Sequence, residues 1–114
     1  VGNTSVNTIN GGSGNDALLG GGSADSVSGG NNDDDLVGGG GDDDMAGGSG
    51  NDNLFGGANN DDLFGGVGND RVYGGTQNDT VTASDGSDVL FGGAGADTLT
   101  GGAGNDRLYG GTGA

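Results

Sequence analysis

The chain has no cysteine, no proline and no histidine, and it lacks glutamate and lysine as well. Without cysteine there is no disulfide staple, no thiolate metal site and no cysteine nucleophile. The scattered serines have no histidine, lysine or glutamate to activate them, so the residues argue against an enzyme; catalysis by a separate domain in a longer parent chain stays compatible with this reading. Absence of proline, with a glycine spacing other than three, excludes collagen. No apolar run approaches the length of a membrane span or of a signal peptide's core. Numbering opens on Val1 rather than Met and ends within a repeat at Ala114, which reads as one domain, 1–114, taken from a longer or processed chain. Apolar surface is scarce too: 28% of residues are hydrophobic and 4% aromatic, too little for an ordinary core, so the chain should not fold unaided. Its 33 glycines raise the entropic cost of ordering further.

Negative charge is abundant. Seventeen aspartates against two arginines give −15, which repels nucleic acid and anionic membrane surfaces alike and makes a cation the natural partner. A solvated acidic tail would carry the same sign, but such tails follow no strict period.

This chain has a period, and it is nine. Rows of nine beginning at Gly2 run to Ala114 without insertion or deletion. The sixth column is Asn7 in the first row and then Asp16, Asp25, Asp34, Asp43, Asp52, Asp61, Asp70, Asp79, Asp88, Asp97 and Asp106. The eighth is always apolar, from Ile9 and Leu18 to Leu99 and Leu108, and the first two columns are Gly-Gly in most rows. GGSGND, at positions 11 to 16 and again at 47 to 52, is the first six columns of a row. Each row therefore combines a glycine-rich turn closed by Asp with three residues around one apolar centre, the pattern of a very short strand with that centre facing inward. One turn and one strand reverse the chain once, so two rows make a coil. The expected fold is all-β: a flattened solenoid of about six coils with two parallel sheets back to back, roughly 30 Å long at about 4.8 Å per coil.

Stacking of this kind places turns eighteen residues apart above one another. One edge carries Asp16, Asp34, Asp52, Asp70, Asp88 and Asp106; the other carries Asn7 and Asp25 through Asp97. Carboxylates about 5 Å apart repel unless a counter-ion lies between them. Calcium accepts six to eight oxygens in forgiving geometry, whereas zinc prefers nitrogen and sulfur and magnesium demands near-ideal octahedra, so calcium is favoured.

Rows such as Gly47-Gly48-Ser49-Gly50-Asn51-Asp52-Asn53-Leu54-Phe55 resemble, at every defined column, the nonapeptide G-G-x-G-x-D-x-U-x of the RTX, or hemolysin-type, calcium-binding repeats. The resemblance covers essentially the whole chain. It implies a right-handed parallel β-roll in which each calcium bridges two stacked turns, held by sixth-column carboxylates and by carbonyls of columns one to four. Asp52 and Asp70 with the carbonyls of Gly48, Gly50, Gly65 and Val67 would form one such site. The same transfer names the carbonyls of Gly29, Asn31, Gly47, Ser49, Gly66, Gly68, Gly101 and Ala103, and about nine to ten ions in all. It also implies a secreted bacterial protein that leaves the cell unfolded by type I secretion and folds on extracellular calcium. Departures from the motif fall at Asn7, at Ala83-Ser84 beside Asp88, and at Ser23 and Gln77 in the fourth column, where strained turns or weak sites are expected.

Two features lie outside the motif. Asp33, Asp35, Asp42 and Asp44 flank sixth-column residues and are expected to face water, raising the local negative potential. Column nine of alternate rows reads Leu19, Val37, Phe55, Tyr73, Phe91 and Tyr109, with Arg71 and Arg107 beside it. Facing outward, that stripe is either a contact surface for a protein partner or for self-association, or a ladder that packs on itself and covers a thin core. The first option makes the chain an adhesive or structural subunit of an extracellular layer, filament or particle.

Overall fold

A computed structural model describes residues 1–113, which form twelve strands and no helix among the described residues. The strands are β1 (Thr8–Ser13), β2 (Ala17–Gly22), β3 (Ser26–Asn31), β4 (Asp35–Gly40), β5 (Asp44–Ser49), β6 (Asn53–Ala58), β7 (Asp62–Val67), β8 (Arg71–Thr76), β9 (Thr80–Gly86), β10 (Val89–Ala94), β11 (Thr98–Gly104) and β12 (Arg107–Thr112). Each opens on columns seven to nine, and in the inner coils a buried apolar centre there is flanked by outward positions, as a half-buried strand requires.

Because two rows complete one circuit, odd and even strands separate into different sheets. One sheet is ordered β1-β3-β5-β7-β9-β11 and the other β2-β4-β6-β8-β10-β12. All neighbours are parallel, with partners eighteen residues apart: Val27 lies opposite Met45, and Met45 opposite Leu63. The result is a parallel β-solenoid of about six coils measuring 33 × 30 × 13 Å.

One expectation needs correcting. Strands of three residues were expected, with the glycine pair in the turn; the strands are six or seven residues long and the pair lies inside them. Column two stays in the ladder, as Gly48 opposite Gly66 shows, and only columns four to six form the turn. The two glycines serve different ends. Gly48 has a φ of 115°, a left-handed conformation that a side chain would strain. Gly65, in column one, is buried, and a Cβ there would come 2.6 Å from Asp70 Oδ2.

Between the sheets lies a narrow core of column-eight side chains, including Val27, Leu36, Met45, Leu54, Leu63, Val72, Val81 and Leu90, with Ala83 beside them. Ile9, Leu18 and Leu99, nearer the ends of the stack, are only partly buried against it. Leu54 is fully enclosed, whereas Leu108 in the last described coil is 45% exposed. Leu54→Ala should therefore destabilise the folded state by about 2–5 kcal/mol and Leu108→Ala by well under half of that, measured as denaturant midpoints under conditions that fold the chain. Equal losses at both positions would show that the core does not sit where the coils overlap.

Candidate metal centres

Each turn delivers its aspartate to the interior. Asp25, Asp34, Asp43, Asp52, Asp61, Asp70, Asp79 and Asp88 are buried to the same degree as the core leucines. The geometry repeats from coil to coil. Oδ1 accepts the backbone N–H of the sixth-column residue one coil earlier: Asp34 N–H donates to Asp52 Oδ1 at 2.8 Å, and Asp52 N–H to Asp70 Oδ1 at 2.9 Å. The ladder runs without a gap from Asp16 to Asp88 on one edge and from Asn7 to Asp79 on the other, each amide donating one coil onward. Oδ2 turns the other way, over the column-one residue of its own row, where a Cβ on the glycine would come 2.4–2.7 Å from it; in the row of Asp88 that residue is Ala83.

Ten of these Oδ2 atoms, in Asp16 through Asp97, are buried and accept no hydrogen bond. A buried carboxylate oxygen without a donor is costly, and here the cost recurs at every turn. Burial, the largest cause, raises the Asp61 carboxyl to about 7 and that of Asp70 to about 6, aided by charges on neighbouring aspartates and opposed by the backbone N–H of Asp43 and Asp52 respectively. Burial likewise raises Asp43, Asp52, Asp79 and Asp88. Among the described residues no three carboxylates converge on one point. An ion held here would meet aspartates from successive coils and complete its shell with backbone oxygens, all hard donors. Of the named carbonyls, that of Val67 already accepts the Gly50 N–H at 2.8 Å, which leaves it one lone pair.

The turns that depart from the motif differ among themselves. Asn7 donates its side-chain amide to Ser5 and Asn3 within its own turn. Gln77 and Ser84 hold φ at 82° and 119°, the strained region expected of them, while Ser23 is not among the residues with positive φ and instead donates its hydroxyl to the Thr4 carbonyl. Asn32 and Asn59 take the left-handed conformation at 77° and 88°, which asparagine tolerates.

A second ladder was not anticipated. Column-five side chains accept the amide of the following coil: Asp33 Oδ1 from Asn51 N–H, Asn51 Oδ1 from Asn69 N–H, and Asn69 Oδ1 from Ser87 N–H. Asp42, Asn60 and Asn78 do the same on the other edge. Its direction opposes that of the sixth-column ladder, so these six turns are tied both upward and downward. Asp33 and Asp42 are exposed as expected, but they also pair coils. The signal was present in the sequence: Asn or Asp fills column five at 15, 33, 42, 51, 60, 69, 78 and 105.

The column-nine stripe faces outward on the even sheet in continuous register. Its four rings, Phe55, Tyr73, Phe91 and Tyr109, stack with centroids 4.7–4.8 Å apart. Arg71 and Arg107 stand exposed two residues earlier on their strands. These residues do pack along their own ladder.

The family model described as RTX calcium-binding nonapeptide repeat (4 copies) matches residues 1–36, 10–45, 37–72, 46–81, 64–99 and 82–114, which together span the chain. No curated protein matches it.

The raised carboxyls set a pH dependence for the metal-free chain. A carboxyl with a higher pKa in the fold than in the unfolded chain holds its proton more tightly when folded, so metal-free folding takes up protons. That folded state is weakest above about pH 7 and gains stability as the pH falls through about 7 at Asp61 and about 6 at Asp70 toward the ordinary carboxyl range near 4. In excess chelator, far-ultraviolet circular dichroism should show more β-structure at about pH 5 than at about pH 7.5. A spectrum indifferent to pH over that range would mean that the carboxyls are not buried in the metal-free fold.

Proposed function

The chain belongs to the RTX calcium-binding nonapeptide repeat family, and from that premise we propose that it is a module whose folding is driven by calcium held on its sixth-column aspartates. The observation that carries this reading is the set of ten buried Oδ2 atoms without a hydrogen-bond donor. A divalent cation would neutralise paired carboxylates and supply the missing partner at once; with so little apolar surface to bury, its binding free energy becomes folding free energy.

In this reading Asp16, Asp34, Asp52, Asp70, Asp88 and Asp106 serve one edge and Asp25 through Asp97 the other. Carbonyls of columns one to four, those of Gly48, Gly50, Gly65 and Val67 around Asp52 and Asp70 among them, complete the shells. About nine to ten ions load the single module 1–114. Asn7 brings no carboxylate, so the position it would share with Asp25 binds least.

Affinity of about 10⁻⁴ to 10⁻³ M per site, the range of extracellular modules, would keep the chain unfolded in a cytosol and fold it outside the cell. That behaviour suits export of an unfolded chain by type I secretion from a bacterium, a setting with which the family is generally associated. The calcium-binding repeat is not a catalytic family. A second role, as an extracellular assembly subunit, is favoured by one observation, the exposed apolar row on the even sheet.

A calcium titration followed by circular dichroism at about pH 7.5, with magnesium as control, tests the main reading. Calcium should convert a disordered spectrum into a β-rich one cooperatively, and magnesium should not. Asp52→Asn should raise the calcium midpoint several-fold, while Asp62→Asn, an exposed residue outside the sixth column, should leave it unchanged. A chain already β-rich in chelator at that pH, or one insensitive to Asp52→Asn, would overturn the assignment.

A further inference from the structure

In every full row but one, column one is glycine, and the space beyond its Cα is bordered by two oxygens from different coils. At Gly47 a Cβ would stand 2.5 Å from Asp52 Oδ2 of the same row and 2.6 Å from the Gly65 carbonyl oxygen of the next coil. The two oxygens are thus within about 5 Å of each other, a gap that one calcium ion closes at about 2.3–2.6 Å to each. Asp52 Oδ2 is buried and has no hydrogen-bond donor, so no other group claims it. The same pairing of carboxylate and carbonyl recurs in eight rows, from Gly11 to Gly92, with the carbonyl 2.6–2.8 Å from the Cβ position. Glycine keeps each of these cradles open because it carries no side chain.

The row of Asp88 closes its own. Ala83 places a methyl group at that point, wholly enclosed and packed with the column-eight core. A methyl offers a cation no oxygen and takes up the space beside the carboxylate. Asp88 is nevertheless buried, and its Oδ2 accepts no hydrogen bond. The disturbance reaches the coil before. Around the Cβ position of Gly65 the three nearest atoms all belong to Asp70, so the Ala83 carbonyl stands no closer than 3.1 Å, outside the 2.6–2.8 Å of the complete cradles. Ser84 adds a second obstacle. It lies opposite Gly66 and holds φ at 119°, against 116° for Gly66, a conformation in which a Cβ points at the column-two carbonyl one coil earlier, as it would from Gly66 toward Gly48. On the opposite edge the cradles at this level, those of Gly74 and Gly92, are complete, with carbonyls at 2.7 and 2.6 Å.

We propose that Ala83 keeps calcium out of the Asp88 cradle, so that the ion column of the Asp16 to Asp106 edge is interrupted there while the column of the opposite edge runs through. The turns that precede β10 and β12 are then joined on this edge by apolar burial in place of an ion. This inference rests on the calcium reading above and narrows it: Asp88 has the position of a ligand without the ion.

Equilibrium dialysis against radioactive calcium at saturation counts ions per chain, and circular dichroism of the same samples reports folding. Ala83→Gly, which restores the residue of the other rows, should bind at least one ion more than the wild type and lower the calcium midpoint of folding about twofold or more. Adding Asp88→Asn to Ala83→Gly should abolish the gain, because asparagine keeps the Oδ1 that accepts the Asp70 N–H and removes the charge. A methyl with a purely structural role gives the opposite sign: losing a buried Cβ and adding backbone freedom would raise the midpoint, with no ion gained. An unchanged or lower count in Ala83→Gly, or a gain that survives Asp88→Asn, overturns the proposal. Asp52→Asn separates that failure from failure of the premise. It should lose an ion, and if neither it nor Ala83→Gly changes the count, the calcium reading falls and this inference with it.

Discussion

A carboxylate that has been taken out of water and given a partner for only one of its oxygens is the constraint from which the rest of this fold follows. From Asp25 onward, Oδ1 of a sixth-column aspartate is spent on the coil before it; Oδ2, in Asp16 through Asp97, is left with nothing to accept, in most rows over a glycine. In an ordinary domain such an arrangement would be a defect, because the desolvation of a single unpaired carboxylate can outweigh several buried methylenes. Here it recurs at every turn, and the apolar core is one side chain wide. Burial in so narrow a core does little to offset the repetition, and the species that answer a column of hard anionic oxygens are a proton and a hard cation.

Glycine placement follows from the same constraint rather than from flexibility. Column one is glycine because the aspartate leans over it, and column two because the backbone there is left-handed. Ala83 and Ser84 break both conditions in one row, at the turn that leads to Asp88. Ser84 holds a φ of 119°, so backbone strain falls at that coil, next to an Ala83 that is wholly enclosed.

Much of this was legible in the sequence because the repeat is uniform. With a period of nine and one apolar residue per row, the two-sheet solenoid, the coil of eighteen and the vertical columns of aspartate are nearly forced, and the family match agrees with them. What escaped was what periodicity does not encode. Strand length was underestimated because glycine pairs read as turn, whereas Gly48 and its equivalents remain paired across the sheet. The role of column five was missed because asparagine and aspartate in a turn look like generic solvated residues; only the backbone geometry reveals that Asn51 reaches the amide of Asn69. The aromatic stripe could be read from column nine, but not that its rings stack on one another, with Phe55 and Tyr109 the more exposed.

The alternation of odd and even strands between two sheets has a consequence for how such a chain can change length. Losing or duplicating eighteen residues shortens or extends the stack and leaves every column where it was. Losing nine is different: all later rows trade sides, so that Phe55, Tyr73 and Phe91 would arrive on the opposite sheet from Leu19 and Val37, and the stripe would break at the deletion point. The nine-residue row is the unit of spelling, but the heritable unit that preserves a surface is twice that length, and parity decides whether an ancestral insertion left the two faces distinct or scrambled them.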